Sequence, residues 1–235
     1  MASVSKDDRE GVAAVARSHA SFETARGAGL LRMRLERLGF SVPRPCAILP
    51  PMNAPLKTLT VEAYIDWALQ QPRGRFELLR GEIVPINAER TGHARIKHRI
   101  AVALEQTIAA AGIECHMLPD GATVRIDDHT AFEPDALVYR GDLLPDDTII
   151  IPEPVIVVEV LSPSTASIDA STKFAGYFKV PSIAHYLIFD GPARTAVHHR
   201  READGTIRSA VIAEGNLTLD PPGLTVPLAA IFAAR

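Results

Sequence analysis

From residue 60 onward the chain switches between two hydrophobic periods, one of helices and one of strands. VEAYIDWALQ carries a helical spacing, and Thr60 before it suits an N-cap. RFELLRGEIVPI, residues 75–86, predicts two short strands around a turn at Arg80-Gly81. HARIKHRIAVALEQTIAAAG, residues 93–112, sets Ile96, Ile100, Leu104 and Ile108 on one face of a long helix, and Gly112 stops it. TVRIDDHTAFEPDALVYR predicts a strand, a polar turn and a second strand. PVIVVEVLS, residues 154–162, is β-branched and almost wholly apolar, the pattern of a central strand covered on both faces. A helix over roughly 168–179 follows, then strands at HYLIFD and TAVHHRR. The tail is turn-rich around Asp220-Pro221-Pro222-Gly223 and ends on the apolar LTVPLAAIF. The mixture implies an α/β fold, a mixed central β-sheet flanked by helices.

The first 51 residues do not share this patterning. They are rich in Ala and Arg, with a short basic helix predicted over 28–39, and they run into the proline-punctuated SVPRPCAILPPMNAP. They carry eight Lys/Arg against five Asp/Glu, whereas residues 52–235 carry 17 against 23. The division expected is an N-terminal extension, 1–51, and a folded domain, 52–235. The extension is either a disordered or weakly helical tail, or an upstream over-extension with Met52 as the true start. A body of net charge −6 does not have the basic footprint usual for nucleic-acid binding. One local basic surface facing a concentration of carboxylates would still leave nucleic acid open as a partner.

Cys46 and Cys115 belong to no CxxC or Cys/His cluster, so neither zinc nor a disulfide framework is expected. No apolar run reaches the ~20 residues of a membrane span, and the N-terminus lacks the layout of a secretory signal. A soluble cytoplasmic protein is the expectation.

Two carboxylates stand out by position. Glu159 sits inside VIVVEV, where an ionised group is costly to bury without a partner or a metal. Asp135 follows Pro134 at the start of the preceding strand. If the two strands are neighbours, Asp135 and Glu159 converge and offer hard oxygen ligands to Mg²⁺ or Mn²⁺. Lys173 lies on the next helix, four residues after Asp169, which can pair with it along one face. The purely structural alternatives are a turn aspartate, a buried Glu159–Lys173 pair, and a surface lysine held by Asp169.

The ordered pieces LTVEAYIDW, FELLRGEIV, the helix with His93, FEPDALVY, VVEVLSPST, D-x-x-x-K and HYLIFD resemble the PD-(D/E)xK nuclease superfamily, and within it the Uma-two, restriction-endonuclease-like family. They cover roughly residues 56–190. The eponymous motif puts Lys at position 161, where this chain has Leu161; the resemblance instead places the lysine on the following helix, at Lys173. It implies a metal-dependent endonuclease acting on DNA, with Asp135, Glu159 and Lys173 catalytic. Asp135, Glu159 and Glu77 would be metal ligands for Mg²⁺ or Mn²⁺, joined by the backbone carbonyl of Val160. A homodimer would bring two sites to two strands.

His93 falls near this site in the family pattern, although a helix-cap role suits it equally. Arg95, Lys97, His98 and Arg99 form either a phosphate-binding run or a solvated helix face. His198 and His199 alternate across a strand and so cannot chelate one metal together. Two other functions compete: an inactive nuclease-fold binding module, and a phosphodiesterase acting on RNA or a small nucleotide.

Overall fold

The structure is a computed structural model, which describes residues 58–161 and 169–232. The 1–51 extension, its helix over 28–39, the SPSTAS loop and the side chain of Asp169 lie outside the described residues.

Thr60 caps α1 (Val61–Leu69), its Oγ1 accepting from the Ala63 N–H at 3.3 Å. β1 (Phe76–Leu79) and β2 (Glu82–Pro85) form the expected hairpin. Its two turn residues, Arg80 and Gly81, have φ of 52° and 81°, as a tight turn with right-handed strand twist demands. α2 (Thr91–Ala111) spans 21 residues and ends at Gly112 in the left-handed region, φ 62°. β3 (Cys115–Pro119) follows, a strand that the polarity of CHMLP conceals.

The segment after Thr123 holds three strands rather than two: β4 (Val124–Asp127), β5 (Thr130–Phe132) and β6 (Ala136–Arg140). Glu133-Pro134-Asp135 breaks the second run because Pro134 has no N–H for a ladder. The break moves the chain from one sheet to another. β5 stays in a small sheet ordered β2-β1-β5-β4, which α1 covers through Val61 and Tyr64 against Leu78 and Ala131.

β6 enters the large sheet with β7 (Pro154–Val160), β8 (His185–Asp190), β9 (Thr195–Arg201) and β10 (Ile207–Ile212), in the order β10-β9-β8-β7-β6-β3. β7 and β8 are parallel, joined through α3 (Asp169–Tyr177), and every other neighbouring pair is antiparallel. This is the mixed sheet expected. The ribbon β11 (Asn216–Leu219) and β12 (Leu224–Pro227), with the short α4 (Leu228–Ile231), completes the domain.

Both faces of the large sheet are buried at its centre, whereas the edge strand β10 is largely exposed. Ile156, Val158 and Val160 of β7 pack with Ile100 and Leu104 of α2 and with Leu217, Val226 and Ile231. Val157 turns the other way, into a core with Tyr177, Ile183 and Tyr186, and Leu161 packs against that core. Strand alternation therefore puts Glu159 on the α3 face, between Val157 and Leu161. A central strand with helices on each side sets the site at its carboxyl end.

His198 and His199 point apart, as alternation requires. His185, fully buried, meets His198 at 2.8 Å between Nδ1 and Nε2, and its Nε2 lies 2.8 Å from the Pro221 carbonyl. A carbonyl only accepts, so His185 Nε2 carries the proton and donates. Its Nδ1 then accepts from His198 Nε2–H. Burial, with His198 alongside, pushes His185 down to about 4, and burial with Arg200 does the same to His198. His199 instead contacts Ser209.

Candidate active site

β6 and β7 are neighbours, with Ala136 opposite Val158, so Asp135 arrives beside the end of β7. Asp135 Oδ2 accepts the Val160 N–H at 2.6 Å, one peptide beyond Glu159. The carbonyl of the same Val160 lies 2.8 Å from His93 Nε2 at the start of α2, which must therefore be the protonated ring nitrogen. Asp135 and His93 thus pin both polar groups of Val160. His93 Nδ1 is buried and hydrogen-bonded to nothing among the described residues, 3.5 Å from Glu89 Oε2.

Lys173 is buried, not a solvated helix lysine. Its Nζ donates to Glu159 Oε1 and to Glu77 Oε1, each at 3.0 Å. Tyr177, one turn on, donates its hydroxyl to the same Glu159 oxygen at 2.6 Å. Phe132 lies under the ammonium, its ring centre 5.6 Å away. Glu77 Oε1 also accepts the Glu133 N–H at 2.9 Å, which ties the β1 hairpin to the sheet-switching segment. Burial pushes the Glu159 carboxyl up to about 8. Lys173 and Tyr177 pull against this, and the charges of Asp135 and Glu77 add to it.

A second lysine was not foreseen in this place. The run of Arg95, Lys97, His98 and Arg99 predicts a solvated or phosphate-touching face, but Lys97 is buried and faces inward. Its ammonium donates to Asp135 Oδ1 at 2.9 Å and also binds Glu89 and Asp120. Burial works against that charge, yet Asp135, Asp120 and Glu89 outweigh it and hold the pKa above the ordinary lysine value. Arg75 closes the ring, 2.5 Å from Asp120 and 3.0 Å from Glu133. Burial also opposes ionisation of Asp120, but Arg75 and Lys97 keep its pKa low. The signal for Lys97 was in the sequence: it lies one turn after His93 and three residues before Ile100, on the inward stripe of α2. Glu89, Asp120, Glu133 and Arg75 carry no comparable mark, because loops and strand ends have no period.

The four residues expected at the site, Glu77, Asp135, Glu159 and Lys173, all line one cleft of about 1080 Å³. They do not form one knot. Glu77 and Glu159 gather around Lys173, while Asp135 joins Glu89 and Asp120 around Lys97, these three offering oxygens within 4.8 Å of one another. Six carboxylates line the cleft (Glu77, Glu89, Asp120, Glu133, Asp135 and Glu159), and three cations (Arg75, Lys97 and Lys173) engage them. Among these mutually engaged groups the carboxylates outnumber the cations, and their oxygens suit a hard divalent cation, although Arg90, Arg95, Arg99 and Arg194 also line the cleft. The Lys97 ammonium already occupies a position among carboxylates as a cation would.

The fold and this arrangement agree with what the chain is similar to. A crystal structure titled as a "putative nuclease belonging to DUF820", from Anabaena variabilis, superposes with a TM-score of 0.61 at 14% identity, covering 74% of this chain and 98% of that one. The uncharacterized protein sll1609 of Synechocystis sp. is 26% identical over 153 residues, 64% of this chain and 85% of that protein. A second Synechocystis protein, slr1290, also uncharacterized, is 27% identical over 154 residues, 65% of this chain and 80% of its own length. The profile of the Uma2 family, described as "Putative restriction endonuclease", matches residues 61–230. With its restriction-endonuclease-like fold and a match over most of its length, this chain belongs to the Uma2 family.

Proposed function

We propose that the protein is a Mg²⁺- or Mn²⁺-dependent endonuclease that hydrolyses phosphodiester bonds in DNA, with Asp135, Glu159 and Lys173 as its catalytic residues. The observation that carries this reading is the position of Lys173: a buried ammonium shared between Glu77 and Glu159, in a cleft that Asp135 also lines. On this reading a lysine absent from position 161 is supplied from α3 instead.

Asp135 and Glu159 would hold the metal, with Glu77 beside them; when bound, it supplies water activation and neutralises charge growing on the phosphate. Lys173 orients the attacking water and donates to the developing negative charge, an interaction that strengthens toward the transition state. Glu77 and Glu159 hold its ammonium in place before substrate arrives. Tyr177 fixes the rotamer of Glu159 through its hydroxyl. Asp135 and His93 immobilise the Val160 peptide, so the end of β7 cannot swing away from the cleft. A homodimer fits cleavage of two strands by two equivalent sites.

The test is to incubate the protein with supercoiled plasmid, single-stranded DNA and RNA, each with Mg²⁺, Mn²⁺ or EDTA. Metal-dependent cutting of plasmid supports the reading. Cutting of RNA alone moves the substrate to RNA, and absence of cutting with every polymer and metal contradicts the assignment.

A further inference from the structure

Beside its carboxylates, the cleft is lined by arginines. Arg95 and Arg99 lie one turn apart on a single face of α2, and Arg194 stands in the turn between β8 and β9. All three line the same cleft as Asp135, Glu159 and Lys173. Gly191 explains how the turn reaches the helix: a Cβ there would stand 3.3 Å from Ile96 Cγ1, so the backbone of the turn sits directly on α2. Arg194 then adopts the left-handed region, φ 56°, and its guanidinium lies 5.8 Å from the ring centre of Phe232. Arg99 Nη1 reaches the carbonyl of Ile231, the residue next to Phe232, at 3.4 Å. Two guanidinium groups from distant parts of the chain therefore share one anchor at the end of α4.

The cationic groups of this cleft fall into two sets. Its carboxylates are engaged by Arg75, Lys97 and Lys173. No carboxylate among the described residues engages Arg95 or Arg194. Arg95 and Arg99, one turn apart on the helix, and Arg194 from the neighbouring turn present three guanidinium groups to the cleft, where an anion would be stabilised. Arginine suits that role because its planar fork binds phosphate bidentately and stays charged at any working pH. Arg95 and Arg99 are separated by about 6 Å of helix rise, against about 3.4 Å of axial rise per phosphate along one strand. The pair spans roughly two phosphates.

We propose that Arg95, Arg99 and Arg194 form a phosphate track that holds the backbone of a polynucleotide on one side of the bond being cut. The proposal rests on the nuclease reading of the cleft, and it names a sequence-independent grip on the polymer.

The experiment is fluorescence anisotropy with a labelled 20-base-pair DNA duplex, a single-stranded DNA and a single-stranded RNA, in Ca²⁺, from 50 to 200 mM KCl. Each phosphate contact contributes about 0.9 to the slope of log K against log salt for duplex and about 0.7 for single strands. Arg95→Gln/Arg99→Gln/Arg194→Gln is expected to make the slope shallower by about 2–3 and to weaken binding at least tenfold at 100 mM salt. Arg95→Gln/Arg194→Gln, which leaves the Arg99–Ile231 contact intact, should remove about two-thirds of that change. Arg208→Gln, on β10 and outside the cleft, should match wild type. The polymer showing the largest slope loss is the one the track fits. Binding with an unchanged slope in the triple variant, or absence of binding to all three polymers, overturns the proposal. Arginine-dependent binding without cutting would sink the nuclease reading and keep the track; cutting with arginine-independent binding would do the reverse.

Discussion

The Lys173 ammonium stands 3.0 Å from Glu159 Oε1 although the two residues belong to different elements, α3 and β7. The contact comes from the crossover between parallel strands, which lays α3 back across the face that carries Glu159. Tyr177 reaches the same oxygen from the next turn. On the proposed reading, an ammonium expected at position 161 is carried by α3 and still meets the carboxylate of β7.

Because α3 positions Lys173, its packing should matter as much as its charge. A Cβ on Gly176 would lie 2.6 Å from Phe132 Cε2, on the ring beneath the Lys173 ammonium. Gly176→Ala therefore forces either Phe132 or α3 to move. The expected loss is about 1–3 kcal/mol, read as a lower midpoint in urea unfolding, with cleavage reduced by more than the unfolded fraction explains. Unchanged stability and rate would show that Phe132 yields freely.

Glu77 serves two partners from one oxygen, the Glu133 N–H and Lys173. Glu77→Ala should cost about 1–3 kcal/mol, because the N–H and the ammonium both lose an acceptor in a half-buried place. Glu77→Gln keeps a carbonyl acceptor and should recover most of the stability while cutting remains impaired. Thermal unfolding of the two variants beside a plasmid assay checks this; equal midpoints for both would contradict it.

Lys97 holds Asp135, Glu89 and Asp120 together, and Lys97→Met leaves three carboxylates facing one another. The lysine is buried, but Glu89 and Asp120 are 28% and 30% exposed, so the loss should fall between surface and buried pairs, roughly 1–3 kcal/mol. A divalent cation can replace the missing charge. The variant's melting temperature should therefore rise more with added Mg²⁺ than that of wild type. An equal rise in both would argue against a cation position at these carboxylates.

The buried His185–His198 pair predicts an acid sensitivity. Both rings have native pKa values near 4, below the ordinary 6.5. Above pH 6.5 neither native nor unfolded chain protonates them, and their contribution to stability is intact. As pH falls from 6.5 toward 4 the unfolded chain takes up protons that the native one refuses, and stability falls by up to ~1.4 kcal/mol per pH unit per ring. Denaturant unfolding between pH 7 and 5 should show this slope superimposed on the opposite one from Glu159, whose raised carboxyl pKa makes the native state bind the extra proton in the same window. The His185→Gln/His198→Gln variant should remove the histidine part, and an unchanged slope would place the sensitivity elsewhere.

Much of this architecture was legible in the sequence because burial leaves a period. The long helix, the central β7 run and the hairpin at Arg80-Gly81 announced themselves; the approach of Asp135 to the Glu159 strand was conditional on the two strands being neighbours, which they are. What stayed hidden lacked a period or disguised it. CHMLP hides β3 among polar residues, and Glu133-Pro134-Asp135 looks like a mere strand entry although it transfers the chain between sheets. Lys97 misled for the opposite reason: within a run of charges its inward phase is visible only when it is counted with His93, Ile100 and Leu104. Glu89 and Asp120 sit outside regular elements, so only the folded chain brings them to Asp135.

The central claim is that Lys173, delivered from α3, completes a metal-dependent phosphodiesterase site with Asp135 and Glu159. Its most direct test is the rate of plasmid cleavage by wild type and by Lys173→Ala at saturating Mg²⁺, with metal binding by both measured calorimetrically. The account predicts metal bound by both proteins and cleavage reduced about 10²-fold or more in Lys173→Ala. Equal cleavage by the two would contradict the role of Lys173, and wild type that binds metal without cutting any polymer would contradict the nuclease assignment.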